Sequence, residues 1–351
     1  MAKEKIILLL TPAFPAHEQD WNWLPVLQRL TLSMQAIDAD LPVKLISFSY
    51  PYQNKTYFWN GMEVFSMNLM HLNKVQRLLA WCKIWKQMRA LNQQYQIQSM
   101  VSFWIAETSL LGSWFAWWHR IPFYAWICGQ DAKPGNRFAR LSKLKPANCI
   151  AISDFISDGF EQHYGIRPMQ TIPFGVSPTP TNTHFNNRPI DIIGVGSLKP
   201  LKQFHLFIEV VALIQQQHPH LKVLICGSGE LHDALLEMIL EKGLEHNVQL
   251  LGEVMHHETI QLLSQSKIIL HSSNYEGMSA ACLEGLEAGC QLISFVKSMH
   301  TEIDHWQIAS SVEDMAQKAM TILDHPPAAT KRVMPYSIYQ TATKVLEFSN
   351  R

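Results

Sequence analysis

The sequence lacks any imbalance of charge: Lys and Arg total 29, and Asp and Glu total 29, over 351 residues. Net charge therefore gives no support to a nucleic-acid coat protein or to a steered binder of acidic ligands. Cysteine is scarce. Its six residues contain no Cys-x-x-Cys pair, which excludes a disulfide-stapled small domain and a paired-cysteine zinc site. Long apolar runs are missing as well. The nearest, Ser109–Trp118, ends at His119 and Arg120, short of the roughly 18 residues a spanning helix needs. Ile6–Leu10 is too short for a signal-peptide core and reads as a first strand, so the expected setting is the cytoplasm, with reduced thiols. HExxH and GxSxG are absent, and the 16 histidines do not cluster. Neither a metal site nor hydrolysis by an elbow serine is expected.

What is present is a globular composition, 47% hydrophobic with 17% charged residues, long enough for two domains. The charge is unevenly shared. Residues 1–177 hold 17 Lys/Arg against 11 Asp/Glu, residues 178–351 hold 12 against 18, and ten of the eleven tryptophans lie in the first part. Short apolar runs at Ile6–Leu10, Val43–Phe48, Ser99–Trp104, Phe123–Cys128 and Cys149–Ser153 alternate with helix-length amphipathic stretches. Strands apolar on both faces and separated by helices predict a parallel sheet covered on both sides. Ser177–Pro189, with three prolines and little to bury, reads as a connection, after which the alternation restarts at Ile190–Val195. The expected fold class is α/β, two facing doubly wound domains at 1–177 and 178–351. A cleft would lie at the C-terminal ends of both sheets, and the final helix, 336–349, is a candidate to pack back on the first domain.

Chemistry-bearing residues gather at those strand ends. Gly194-Val195-Gly196-Ser197 precedes a helix, where it is either a tight turn or a phosphate cradle of backbone N–H groups. Lys202 supplies a counter-charge to a diphosphate there, ahead of the more solvated Lys199. Gly227-Ser228-Gly229 repeats the arrangement at the next strand end, again as turn or ligand contact. The strongest local signal is Glu276 through Glu284. Eight helical residues separate two carboxylates by about 12 Å, enough to meet different parts of an elongated ligand. Gly277, Met278 and Ser279 between them would offer helix-start N–H groups to an anion. Glu284, crowded by Ala281, Cys282, Leu283 and Leu286, needs a hydrogen-bonding partner, which a ribose or sugar hydroxyl pair would provide. In the first domain, Asp131 is placed to accept from substrate hydroxyls, and Lys133 or Arg137 to meet phosphate. Glu18, Asp20, Trp21 and Trp23 are placed to shape an acceptor pocket, the two tryptophans being equally core candidates. Residues 74–89 form a basic amphipathic helix. Its apolar residues Val75, Leu78, Leu79, Cys82, Trp85 and Met88 either pack on the sheet or lie on an anionic membrane.

Taken together, these pieces resemble the group-1 (GT4) retaining glycosyltransferases of the GT-B fold, most clearly from Ile192 to Phe295. Glu276 and Glu284 match the family's acid–seven residues–acid motif, Lys202 its phosphate-side lysine, Gly227-Ser228-Gly229 its second glycine turn, and Ile172–Val176 the segment leading into the interdomain crossing. The resemblance implies two facing Rossmann-like domains, with a nucleotide sugar (UDP-, GDP- or ADP-linked) in the second and a saccharide or lipid-linked saccharide acceptor in the first. It implies transfer with retained anomeric configuration, without cofactor or nucleic acid. By the same resemblance Glu284 binds the ribose, Glu276 faces the transferred sugar and Lys202 counters the diphosphate. Three positions depart from the family pattern: Ser197 replaces a common arginine, Cys128-Gly129 a common His-Gly, and Phe14–Asp20 a double glycine. With the histidine replaced, Asp131 is the candidate for part of its role. The alternatives to a transferase are a non-catalytic sugar-nucleotide-binding subunit and a sugar-nucleotide epimerase of the same architecture.

Overall fold

The computed structural model describes residues 3–21, 23–178, 184–327 and 331–349. It divides into two compact units, Met1–Gly175 with Ile338–Arg351, and Val176–Ser337.

The first unit holds β1 (Lys5–Ala13), β2 (Val43–Tyr50), β3 (Lys55–Trp59), β4 (Met62–Ser66), β5 (Gln96–Phe103), β6 (Phe123–Ile127), β7 (Cys149–Ala151) and β8 (Gln170–Thr171). They form one sheet in the order β3-β4-β2-β1-β5-β6-β7-β8, parallel except for the β3–β4 hairpin. Ile6 to Leu10 are fully buried because helices cover both faces of β1. Local sequence sets the helix starts. Ser153 Oγ accepts from Ile156 N–H at 3.3 Å, and Asn73 and Gln76 form a reciprocal capping box at the head of Lys74–Gln94. The last helix, Ile338–Ser349, belongs to this unit. Thr341 Oγ1 donates to Pro173 O at 2.9 Å, Tyr124 OH donates to Phe348 O at 3.2 Å, and the Tyr124 and Phe348 rings lie 4.9 Å apart.

On helix Lys74–Gln94 the sheet-packing alternative holds for only part of the expected apolar face, Met88 and Trp85. Val75, Leu78, Leu79 and Cys82 do not pack on the sheet. They are exposed, and Ala80, Ile84, Met88 and Leu91 take the inward face.

The second unit is an all-parallel sheet of β9 (Ile190–Val195), β10 (Val223–Cys226), β11 (Val248–Gly252), β12 (Ser266–His271), β13 (Gln291–Ser294) and β14 (Trp306–Ile308). Its order is β11-β10-β9-β12-β13-β14, the doubly wound pattern in which strand order reverses between the first and fourth strands. Helices Phe204–Gln215, His232–Glu241 and Val312–Asp324 bury one face of this sheet, and His256–Ser264 with Ala280–Glu287 bury the other. Close packing requires small residues here. A Cβ at Gly194 would stand 2.9 Å from the Phe204 and Phe207 rings.

The predicted connection at 177–189 is anchored at two points. Residues 179–183 lie outside the described residues, and after them His184, Asn186, Asn187 and Pro189 are exposed while two residues reach the core. Phe185 is buried, and the buried Arg188 donates to Ser266 O and Ala288 O, both at 2.6 Å. A guanidinium fork meeting two carbonyls satisfies an otherwise costly buried cation.

Candidate functional site

The reversal of strand order in the second unit puts the chain leaving β9 beside the chain leaving β12, at the C-terminal edge where such sheets form a ligand crevice. Lys202 ends a short 3-10 turn, Pro200–Lys202, just before helix Phe204–Gln215. Its Nζ pairs with Glu276 Oε2, while its carbonyl accepts from Ser272 Oγ at 2.8 Å, so the loop after β12 grips Lys202 at both ends. His271, the last residue of β12, brings Nε2 to 3.3 Å from the same Glu276 oxygen. Sequence reasoning found Lys202 and Glu276 but missed His271. The one available signal was a polar residue ending an otherwise apolar buried strand.

The charge states follow from these contacts. Burial raises the Glu276 pKa, but hydrogen bonding to His271 and the charges of Lys202 and His271 outweigh it and hold the carboxyl down at about 2. Burial works against the His271 cation too. The Cys282 sulfur and Glu276 outweigh that, against repulsion from Lys202, and raise the imidazole to about 9. At neutral pH the cluster therefore carries two cations and one carboxylate, a net positive charge in a site whose side chains are only 7–21% exposed. A low-dielectric pocket of that sign suits an anion.

Glu284 lies one element further on, in helix Ala280–Glu287, with its side chain 6% exposed. The partner that its crowded surroundings demanded is supplied within the unit: His256 Nε2 stands 2.9 Å from Glu284 Oε1. His256 itself is 30% exposed and forms the outer side of that contact. The expected anion site at 277–279 is revised by the helix start. Helix Ala280–Glu287 begins after these residues, and the buried Ser279 hydroxyl itself accepts from Cys282 N–H at 3.4 Å. Gly277 and Met278 are buried on the approach to that turn.

The two glycine turns press on each other. Gly196 N–H donates to Cys226 O at 3.0 Å, and Leu198 N–H donates to Ser228 O at 2.9 Å. A Cβ at Gly227, where φ is +150°, would fall 1.8 Å from Gly196 O, and one at Gly229 would fall 2.4 Å from Leu198 O. Backbone proximity alone thus requires Gly227 and Gly229. Ser197 remains exposed at the rim, as does Lys199.

Asp131 lies in the first unit and is not among the residues gathered by the second. In the 3-10 turn Gly129–Ala132 its Oδ2 accepts from Cys128 N–H at 2.8 Å, and burial pushes its carboxyl up to about 7. Glu18 accepts from Asn60 N–H at 3.1 Å, and Asp20 accepts from Ala16 N–H and from Tyr50 OH, at 2.9 and 2.7 Å. Trp23 stacks on Tyr50 at 4.0 Å, and Trp21 meets Trp59 edge-on, yet both remain partly exposed rather than core. Lys133 receives the Tyr164 hydroxyl on its carbonyl, and Arg137 lies over Phe138 at 4.9 Å. Among the described residues no group of three His, Cys, Asp or Glu is placed to hold a metal ion.

Residues 179–331 match the family model described as glycosyl transferases group 1. An uncharacterized glycosyltransferase of Methanocaldococcus jannaschii is 31% identical over 102 residues, 29% of this chain and 25% of its own length. The UDP-N-acetylglucosamine–peptide N-acetylglucosaminyltransferase GtfA subunit of Streptococcus pneumoniae is 30% identical over 125 residues, 36% of this chain and 24% of its own length. The chain thus spans about a quarter of the length of these curated relatives. In fold, sucrose-phosphate synthase from Thermosynechococcus elongatus superposes with a TM-score of 0.69 at 15% identity, covering 98% of this chain and 94% of that one. The architecture is that of the GT-B glycosyltransferases, as the resemblance implied.

Proposed function

We propose that this chain, whose residues 179–331 carry the group-1 glycosyltransferase domain, moves a sugar from a nucleotide-diphosphate donor to a hydroxyl of a saccharide or glycolipid with retention of anomeric configuration. The observation that carries this reading is the Lys202–Glu276–His271 cluster at the strand-order reversal of the second unit. Lys202, with the backbone N–H of Ser197 in the glycine turn, would meet the diphosphate. As the bond to the anomeric carbon loosens, negative charge grows on the leaving phosphate, and a preplaced ammonium stabilises it. Lys202 would then be shared between phosphate and Glu276. His271 keeps Glu276 ionised through that exchange, which leaves a carboxylate free to accept from hydroxyls of the transferred sugar.

Glu284 takes the ribose hydroxyls, sharing or replacing its contact with His256. Gly227 and Gly229 let the second turn seat against the first, and Gly277 and Met278 would bring backbone to the sugar side. Asp131 serves on the acceptor side. A UDP-sugar is the first donor to test, because the name of the pneumococcal relative specifies one.

The test is a melting-shift screen of UDP-, GDP- and ADP-sugars, followed by turnover with saccharide acceptors and NMR of the new anomeric proton. One nucleotide class should stabilise the protein by about 2–3 kcal/mol at a hundredfold excess over Kd. The product should keep the donor's anomeric configuration. Stabilisation without transfer to any acceptor would mean a sugar-nucleotide-binding subunit, isomerised donor without acceptor would mean an epimerase, and no stabilisation by any of the three would overturn the assignment.

A further inference from the structure

The neutral total charge conceals a strongly basic stretch in the first unit. Between residues 71 and 150 there are eleven Lys/Arg and only two acids, Glu107 and Asp131. Only one of the cations, Arg77, is offset by either acid. Glu107 accepts from Trp81 Nε1 at 2.9 Å and pairs with Arg77 at 3.3 Å, while Asp131 is buried. This basic stretch also carries the largest outward display of apolar side chains. On helix Lys74–Gln94, Val75, Leu78 and Leu79 are 59–70% exposed, and on helix Glu107–His119, Trp117 and Trp118 are 57% and 71% exposed. Leu110, Trp114, Trp117 and Trp118 fall at i, i+4, i+7 and i+8, a single stripe along that helix.

The two helices form one surface. Together with the short helix Arg137–Leu141 they enclose a cavity of about 530 Å³, lined by Leu78, Trp81, Leu110, Phe138 and Leu141, with Lys74, Arg77 and Arg137 at its edge. Lys143 spreads over Trp114 and Trp117, its Nζ 4.1 and 4.5 Å from their ring centres, so a cation and an indole pair present themselves together. Tryptophan with neighbouring lysine is the pairing that suits the boundary between headgroup and acyl chain. The ring lies in the boundary region while the ammonium reaches phosphate.

We propose that this face of the first unit docks on an anionic lipid bilayer, with Trp117, Trp118, Leu78 and Leu79 entering the interface and the surrounding Lys and Arg meeting lipid phosphates. A soluble protein partner would need matching acids and an apolar counter-face. A bilayer supplies both as fluid surface, and the two-signal combination of apolar insertion and basic charge is what stable interfacial binding needs. Among the described residues no helix is long and apolar enough to cross a membrane, so the contact is with the surface. This inference stands apart from the sugar-transfer reading, because the face belongs to the first unit and the donor cluster to the second.

The test is cosedimentation of the full chain with vesicles of phosphatidylcholine alone and of phosphatidylcholine with 30% phosphatidylglycerol, added at about 0.1 M salt where screening is moderate. The protein should pellet with the anionic vesicles, remain in solution with the neutral ones, and release as salt rises. Trp117→Ser with Trp118→Ser should lower partitioning by tenfold or more, and Lys83→Gln with Lys86→Gln by roughly 25-fold, since each charge near the surface is worth about a factor of five. Melting temperature and nucleotide binding should be unchanged in both variants, which separates failure of docking from failure of folding or of the donor site. Equal partitioning to neutral vesicles, no partitioning to either, or a self-associated form that the tryptophan variant splits without any vesicle binding would overturn the proposal.

Discussion

Glu276 sits between two cations that differ in kind. Lys202 reaches it from the loop after β9, and His271 reaches it from the end of β12. The pH behaviour follows. Glu276 is depressed from 4.5 to about 2, so its contribution is full above 4.5 and disappears as pH falls through 2. His271 is raised from 6.5 to about 9, so its contribution is full below 6.5 and disappears as pH rises through 9. His271→Gln should therefore flatten the decline in melting temperature between pH 6.5 and 9, measured by scanning calorimetry across that range. A wild-type profile with the same slope as the variant would refute the charged imidazole. Asp131 has the opposite sign to Glu276. Its carboxyl is raised from 3.8 to about 7, so the folded state binds a proton the unfolded state has released, and stability falls as pH climbs between those values. Asp131→Asn should remove that fall. The variant's stability relative to wild type should gain about 2–4 kcal/mol between pH 4 and pH 8 by urea titration.

At the scale of elements, two turns and a loop make the second unit's site, and their backbone fits are tighter than their side-chain contacts. A methyl group at Gly227 would overlap Gly196 O, and no rotamer change relieves a clash with backbone. Gly227→Ala should cost about 2–4 kcal/mol in denaturant unfolding, while Ser197→Ala, at the exposed rim, should stay within about 0.5 kcal/mol. The strands and helices of this unit were legible from the chain because buried parallel strands read as uninterrupted apolar runs. The apolar run Ile190–Val195 coincides with β9 residue for residue. The β3–β4 hairpin was not legible, since Lys55–Trp59 mixes polar and aromatic residues on a half-exposed sheet edge. The same limit governed the site. Lys202 and Glu276 carried family-like spacing, but their third member His271, and the His256 partner of Glu284, are joined to them only by three-dimensional packing. The divided face of helix Lys74–Gln94 had a different cause. Its apolar residues cover most of the circumference, so periodicity alone could not say which side meets the sheet.

The whole molecule is two folding units whose chain order and spatial membership disagree, because helix Ile338–Ser349 returns to the unit that contains the N-terminus. Ile338, Ala342, Val345, Leu346 and Phe348 are all buried there. Leaving such side chains unpaired forfeits about 1.5–3 kcal/mol for each of the four larger ones, a sum comparable with the 5–15 kcal/mol that holds a typical domain together. Removing residues 338–351 should therefore unfold the first unit. The second unit owes that helix nothing: its core is assembled entirely from residues between Phe185 and Val333. Calorimetry of the truncated chain should show the transition of the second unit alone, at nearly its full-length temperature, and nucleotide-induced stabilisation should persist in it. Loss of both transitions together would mean that the two units fold as one cooperative body. Loss of nucleotide response with the second transition intact would mean that the donor site draws on the first unit, and Lys202, Glu276 and Glu284 would then be insufficient for binding by themselves.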